Sequence, residues 1–232
     1  MSSGAELELD GPVAIVSLNN PPLNIFDLDM RDGLIEAFDA VNDVPDVRVM
    51  LLRAEGKHFS AGADLSEFGT APSIMEGRRI RWDRDPWGLL WDLRVPTVAA
   101  LHGYTVGSGL EMAMLCDIRL AATDTQVGLP ETKLGMLPAA GGTQSVTRAI
   151  GPHQAVPFVS TAETIDAVTA AARGLVWQVV DEVEVAARTL CDQLARLDPG
   201  LARAVRRTLR AAGDLPLDQG LALEKRLALT QR

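Results

Sequence analysis

Apolar positions follow two spacings along this chain. Near the start they form two short runs, Glu6 to Leu9 and Val13 to Leu18, separated by Asp10-Gly11-Pro12. A turn tripeptide between two such runs predicts a pair of antiparallel strands. The spacing then becomes helical: Asp27 can cap a helix on which Leu34, Phe38 and Val41 recur, and Pro45 ends it. Val47 to Leu52 reads as a buried strand and leads into a Gly- and Ala-containing loop, KHFSAGADLSEF, at 57–68. Residues 73–93 look helical with a break at Asp85-Pro86, after which Trp87 and Trp91 share a face. Thr97 to Leu101 and Ile118 to Ala122 are two more strands, with a helix from the stretch GSGLEMAMLCD at 107–117 between them. From Gly142 onward the pattern is mostly helical, through Leu221 to Leu229. The sum is an α/β core whose strands lie before about residue 130, followed by a helical C-terminal part.

Composition narrows the function classes. The chain has 232 residues, 47% of them hydrophobic, enough to bury a full core. Its net charge of −9 and pI of about 4.8 argue against a general binder of nucleic acid or anionic membranes. Cys116 and Cys191 show neither metal-ligand nor disulfide spacing, so no metal site is expected and a reducing cytoplasm is the default. The N-terminal MSSGAELELDG lacks the basic and apolar regions of a signal or transit peptide, and no run approaches 18 apolar residues.

Two glutamates stand out as chemistry. Glu111 lies in the first turn of a helix entered through Gly107-Ser108-Gly109, whose first backbone N–H groups are free to meet an anion. A first-turn acid can equally serve only to complement the helix dipole. Against that, Met112 to Cys116 offers no second polar position, as an exposed amphipathic helix would. Glu131 lies in QVGLPETKLGMLPAAGG, irregular and apolar, with prolines and glycines around it. If the two carboxyl groups meet in an apolar site, they disfavour double ionisation and can divide into one acid and one base near neutral pH. Neither a GxGxxG nor a GxxxxGK[ST] loop is present, so dinucleotide and nucleotide-triphosphate readings lack support.

AGADLSEF at 61–68, LHGYTVGSGLEMAMLCDIRLAA at 101–122 and GLPETKLGMLPAAGGTQ at 128–144 resemble the signature segments of the enoyl-CoA hydratase/isomerase, or crotonase, superfamily. NPPLN at 20–24 and GLVWQVV at 174–180 extend the resemblance over nearly the whole chain. It implies an α/β spiral of repeated ββα units over residues 1–175 and a helical trimerisation region over 176–232, in a homotrimer or dimer of trimers. It also implies an acyl-CoA ligand and no separate cofactor, coenzyme A entering as part of the thioester. By the resemblance, backbone N–H groups of Ala63 and Ser108 form the oxyanion hole, and Glu111 and Glu131 add water to a 2-enoyl-CoA. Lys57 is placed near the CoA phosphates and Ala61, Gly62, Ala63, Asp64, Leu65, Ser66 and Gly107 along the substrate path. A lysine in a surface loop is as readily a solvated one.

Several positions depart from the family pattern. Ser108 stands where many members have glycine, Ser66 where some hydratases have lysine, Ala139 at a glycine of the PGxGG segment, and Ser145-Val146 at a frequent Arg-Leu. The end at Arg232 leaves the last helix looking unfinished, which would weaken CoA contacts or expose the acyl chain. His58 and His102 are read as structural, and Phe68, Trp82, Trp87 and Trp91 as either pocket walls or packing contacts. The alternatives are an enoyl-CoA isomerase working through Glu131 alone, and a non-catalytic acyl-CoA-binding or RNA-associated scaffold.

Overall fold

The computed structural model describes residues 4–67, 73, 75 and 83–230. Strands β1 (Gly4–Asp10) and β2 (Val13–Asn19) form the expected hairpin, Asp10 pairing with Val13 across a Gly11-Pro12 loop. β2 continues into a six-stranded sheet through parallel neighbours β3 (Val49–Ala54), β4 (Thr97–Leu101), β6 (Ile118–Ala122) and β9 (Gln178–Val180). A smaller sheet contains β5 (Tyr104–Val106), β7 (Gln126–Gly128) and β8 (Thr164–Asp166). The chain thus alternates between sheets, β4 then β5, β6 then β7. A single bridge from Ser60 to Thr105 carries that alternation back to the turn after β3. This alternation is the spiral that the sequence resemblance implied.

The long apolar runs follow from burial on both sheet faces. Val13, Ile15, Val49, Leu51, Val98 and Ala100 meet Val183, Ala187, Cys191 and Ala195 of one helix, Val183–Ala195. The alternate residues, Val16, Leu18, Met50, Leu52, Ala99 and Leu101 among them, belong to the main core with Leu34, Phe38 and Val41 of α1 (Leu28–Asp43). Asp27 caps α1 as expected, accepting from Met30 N at 2.8 Å, and the helix ends before Pro45. The second cluster's helix is α6, after α2 (Pro86–Asp92), α3 (Ser108–Leu115), α4 (Gly142–Ser160, broken at Gly151) and α5 (Ala167–Arg173). Burial pushes both thiols, Cys116 and Cys191, up to about 12, so they act here as packing groups.

The sequence reading missed β5, β7, β8 and β9. Each has three residues, too few for a period of two to stand out, and β9 forms because the open edge of β6 offers it a ladder. It joins the large sheet beyond residue 175. The last helices, α7 (Pro199–Ala211) and α8 (Leu217–Ala228), are largely exposed, including Leu209, Leu217 and Leu221. Arg206 and Arg210 fasten α7 to Asp117 at 2.7 and 2.9 Å. Among the described residues, no helix is long and apolar enough to cross a membrane, and no group of three His, Cys, Asp or Glu could hold a metal ion.

Candidate active site

One wall of the site is the loop after β3, and buried polar groups fix its path. Asn24 Nδ2 donates to the carbonyls of Glu55 and His58, each at 2.8 Å. Ser60 Oγ donates to Asn24 O at 2.7 Å and accepts from Gly62 N at 3.1 Å. Gly62 has φ +100° and lies so close to the next segment that a methyl there would be 3.2 Å from Val106 O and 3.4 Å from Ser108 N. The 61–63 turn is therefore packed directly on the start of α3. Neither the Ala63 nor the Ser108 N–H donates to another described residue.

Gly107 starts α3 with φ +55°, a left-handed conformation that an L side chain resists. Space is tight as well: an added carbon would be 3.0 Å from Glu131 Oε1 and would press that carboxyl aside. Beyond it Leu110, Met112 and Ala113 are fully buried, and Glu111 is only 2% exposed among them. Its burial rules out decoration of an exposed helix end. Glu111 Oε1 accepts from the backbone N–H groups of Ala140 and Gly142, both at 2.9 Å. Donors to a charged acceptor contribute about 1.5–3 kcal/mol each, which offsets part of the cost of burying a carboxylate.

Glu131 is held differently. It lies in a 3₁₀ turn, Pro130–Leu134, that Thr132 ties to α4 through its hydroxyl on Val159 O at 2.9 Å. Its Oε2 is buried with no hydrogen-bond partner. Burial pushes the Glu131 carboxyl up to about 7, and the nearby charge of Glu111 adds to the shift. The two glutamates that the sequence could only suspect of meeting do share one site.

Both open into a cavity of about 580 Å³, with Ala61, Gly62, Ala63, Asp64, Leu65, Gly107 and Ser108 also in its walls. Two expected contacts, Lys57 and Ser66, are exposed and lie outside those walls. Trp87 packs on Phe26 at 5.2 Å and donates to Ser108 O at 3.3 Å, and Arg210 stacks on Trp91 at 3.9 Å, so neither indole is a wall. Phe68 and Trp82 lie outside the described residues. His58 accepts from Tyr104 N at 3.2 Å and His102 meets Gly56 O at 3.2 Å, structural positions as expected. Sequence reasoning missed Leu23, Ile25, Leu134, Met136 and Leu137 as apolar walls, and the Ala140 and Gly142 amides as the partners of Glu111. Leu23 sits in the NPPLN segment and the other signal was PAAGG, but backbone donors leave no side-chain trace to read.

The chain matches the family model described as enoyl-CoA hydratase/isomerase over residues 8–231. It is 35% identical over 224 residues to a Mycobacterium tuberculosis protein named "Probable enoyl-CoA hydratase", covering 95% of this chain and 86% of that one. It is 33% identical over 226 residues to the 2,3-dehydroadipyl-CoA hydratase of Escherichia coli, covering 95% and 84%. Among solved structures, the enoyl-CoA hydratase subunit I of Geobacillus kaustophilus superposes with a TM-score of 0.91 at 30% identity, covering 97% of this chain and 88% of that one.

Proposed function

The chain belongs to the enoyl-CoA hydratase/isomerase family and is an enzyme of the hydro-lyase kind, and on that basis we propose that it adds water across the double bond of a 2-trans-enoyl-CoA. The observation that carries this reading is the unequal holding of two carboxyl groups in one cavity. Glu111 is kept by two amide donors, and Glu131 has a buried, partnerless oxygen and a proton affinity near neutral pH.

In the proposed reaction the thioester oxygen lies between the Ala63 and Ser108 amides. Glu111 takes a proton from the water whose oxygen bonds to C3, the C2–C3 π electrons move toward the carbonyl, and enolate charge collects on the thioester oxygen. Glu131 then delivers its proton to C2 and the carbonyl re-forms, so that 3-hydroxyacyl-CoA leaves. A preorganised oxyanion donor is worth about 10²–10³ in kcat and a positioned acid or base about 10²–10⁴. The cavity accommodates the acyl and pantetheine portions, with the nucleotide in solvent, where the exposed Lys57 can meet its phosphates. The exposed apolar side chains of α7 and α8 support a homotrimer or a dimer of trimers.

Crotonyl-CoA tests the reading through loss of the enoyl absorbance. Hydration removes the chromophore, and Glu131→Gln should slow that loss at least a hundredfold. Conversion of a 3-enoyl ester to the conjugated ester without hydration would mean an isomerase, and silence in both assays a scaffold.

A further inference from the structure

The backbone passes close to both glutamates at glycine positions. An added carbon at Gly142 would lie 2.9 Å from Glu111 Oε1, and one at Gly107 3.0 Å from Glu131 Oε1. Ala139 is different. It is exposed, lines the same cavity, and immediately precedes Ala140, whose N–H is 2.9 Å from Glu111 Oε1. Its methyl is therefore a side-chain carbon that the segment holding Glu111 presents to the cavity. Ser108, at the start of α3, lines the same cavity.

We propose that Ala139 is a specificity-determining residue whose methyl limits substitution at C3 of the acyl chain, selecting 2-enoyl thioesters with one hydrogen on that carbon over 3-methyl-branched ones. The proposal rests on the hydratase reading, in which Glu111 works at C3. A branch on C3 must fit between the attacking water and the wall that holds Glu111. That wall includes Ala139, and the amides on Glu111 fix the backbone that follows it, from Ala140 to Gly142. A single methyl in a binding pocket changes discrimination by about 10–200-fold.

The test is the ratio of kcat/KM for 3-methylcrotonyl-CoA to that for crotonyl-CoA, with the two dissociation constants measured alongside. Ala139→Gly should raise the kinetic ratio about tenfold or more and tighten the branched thioester relative to the straight one. Ala139→Val should move both ratios the other way. Ratios for Ala139→Gly within twofold of the unaltered chain, in rate and in binding, would overturn the proposal. Failure of the hydratase reading looks different: the unaltered chain leaves crotonyl-CoA intact, and the binding ratios then decide the steric claim by themselves.

Discussion

The two walls of the cavity bury the same functional group and treat it in opposite ways. On the α3 wall, Glu111 is sunk in Leu110, Met112 and Ala113, and the protein brings two amides to one of its oxygens. On the 3₁₀ wall, Glu131 is less deeply set, yet its Oε2 receives no donor, and burial raises its proton affinity to near neutral pH. Depth of burial alone therefore does not separate the two carboxyls. The supply of donors does: backbone N–H groups favour a carboxylate, and a desolvated oxygen without them favours a carboxylic acid. A site built this way can hold a base and an acid a short distance apart at one pH.

The largest expected effect comes from removing either carboxyl. Glu111→Gln and Glu131→Gln should each cost about 10²–10⁴ in kcat for crotonyl-CoA, with the fold retained by circular dichroism. Near-full activity in either variant would remove that side from the comparison. Next is the proposed oxyanion donor, the Ser108 N–H. Ser108→Pro removes its N–H at the first position of α3, where proline's φ is compatible with a helix, and should cost about 10²–10³ in kcat. A smaller loss would place the thioester oxygen elsewhere.

A pH profile sharpens the contrast. In the proposed reaction Glu131 must carry a proton to deliver it to C2, so kcat/KM should fall about tenfold per unit as pH rises past about 7. The smallest effect is on stability. The folded-state pKa of Glu131 lies above its unfolded value, so ionising it costs folded stability as pH rises through the unfolded value, a loss complete above about 7. Glu131→Gln should therefore raise Tm at pH 8 and leave it nearly unchanged at pH 4. The carboxyl keeps some contact with solvent, so the gain is about 1–2 kcal/mol, a few degrees for a chain of this size.

Much of this arrangement was legible in residue types. Unbroken apolar runs gave the central strands because α6 and the main core cover opposite faces of the same sheet. Glu111 was legible because a carboxylate inside Leu110 to Cys116 has no solvent-facing stripe to occupy. The three-residue strands β5, β7, β8 and β9 were not, since their pairing is dictated by a neighbouring edge and not by a pattern of their own. Nor were the partners of Glu111. Ala140 and Gly142 act through backbone N–H groups that every residue but proline possesses, so only the path of the chain reveals them. Lys57 and Ser66, placed on the substrate path by resemblance, are exposed and lie outside the cavity walls.

The division of roles between the walls is tested most directly by titrating the glutamate side chains in the intact protein. With ¹³C-labelled glutamate, NMR should show one carboxyl carbon titrating with a midpoint near 7, and that signal should vanish in Glu131→Gln while surviving in Glu111→Gln. A spectrum in which Glu131 completes its titration below pH 5 would contradict the account.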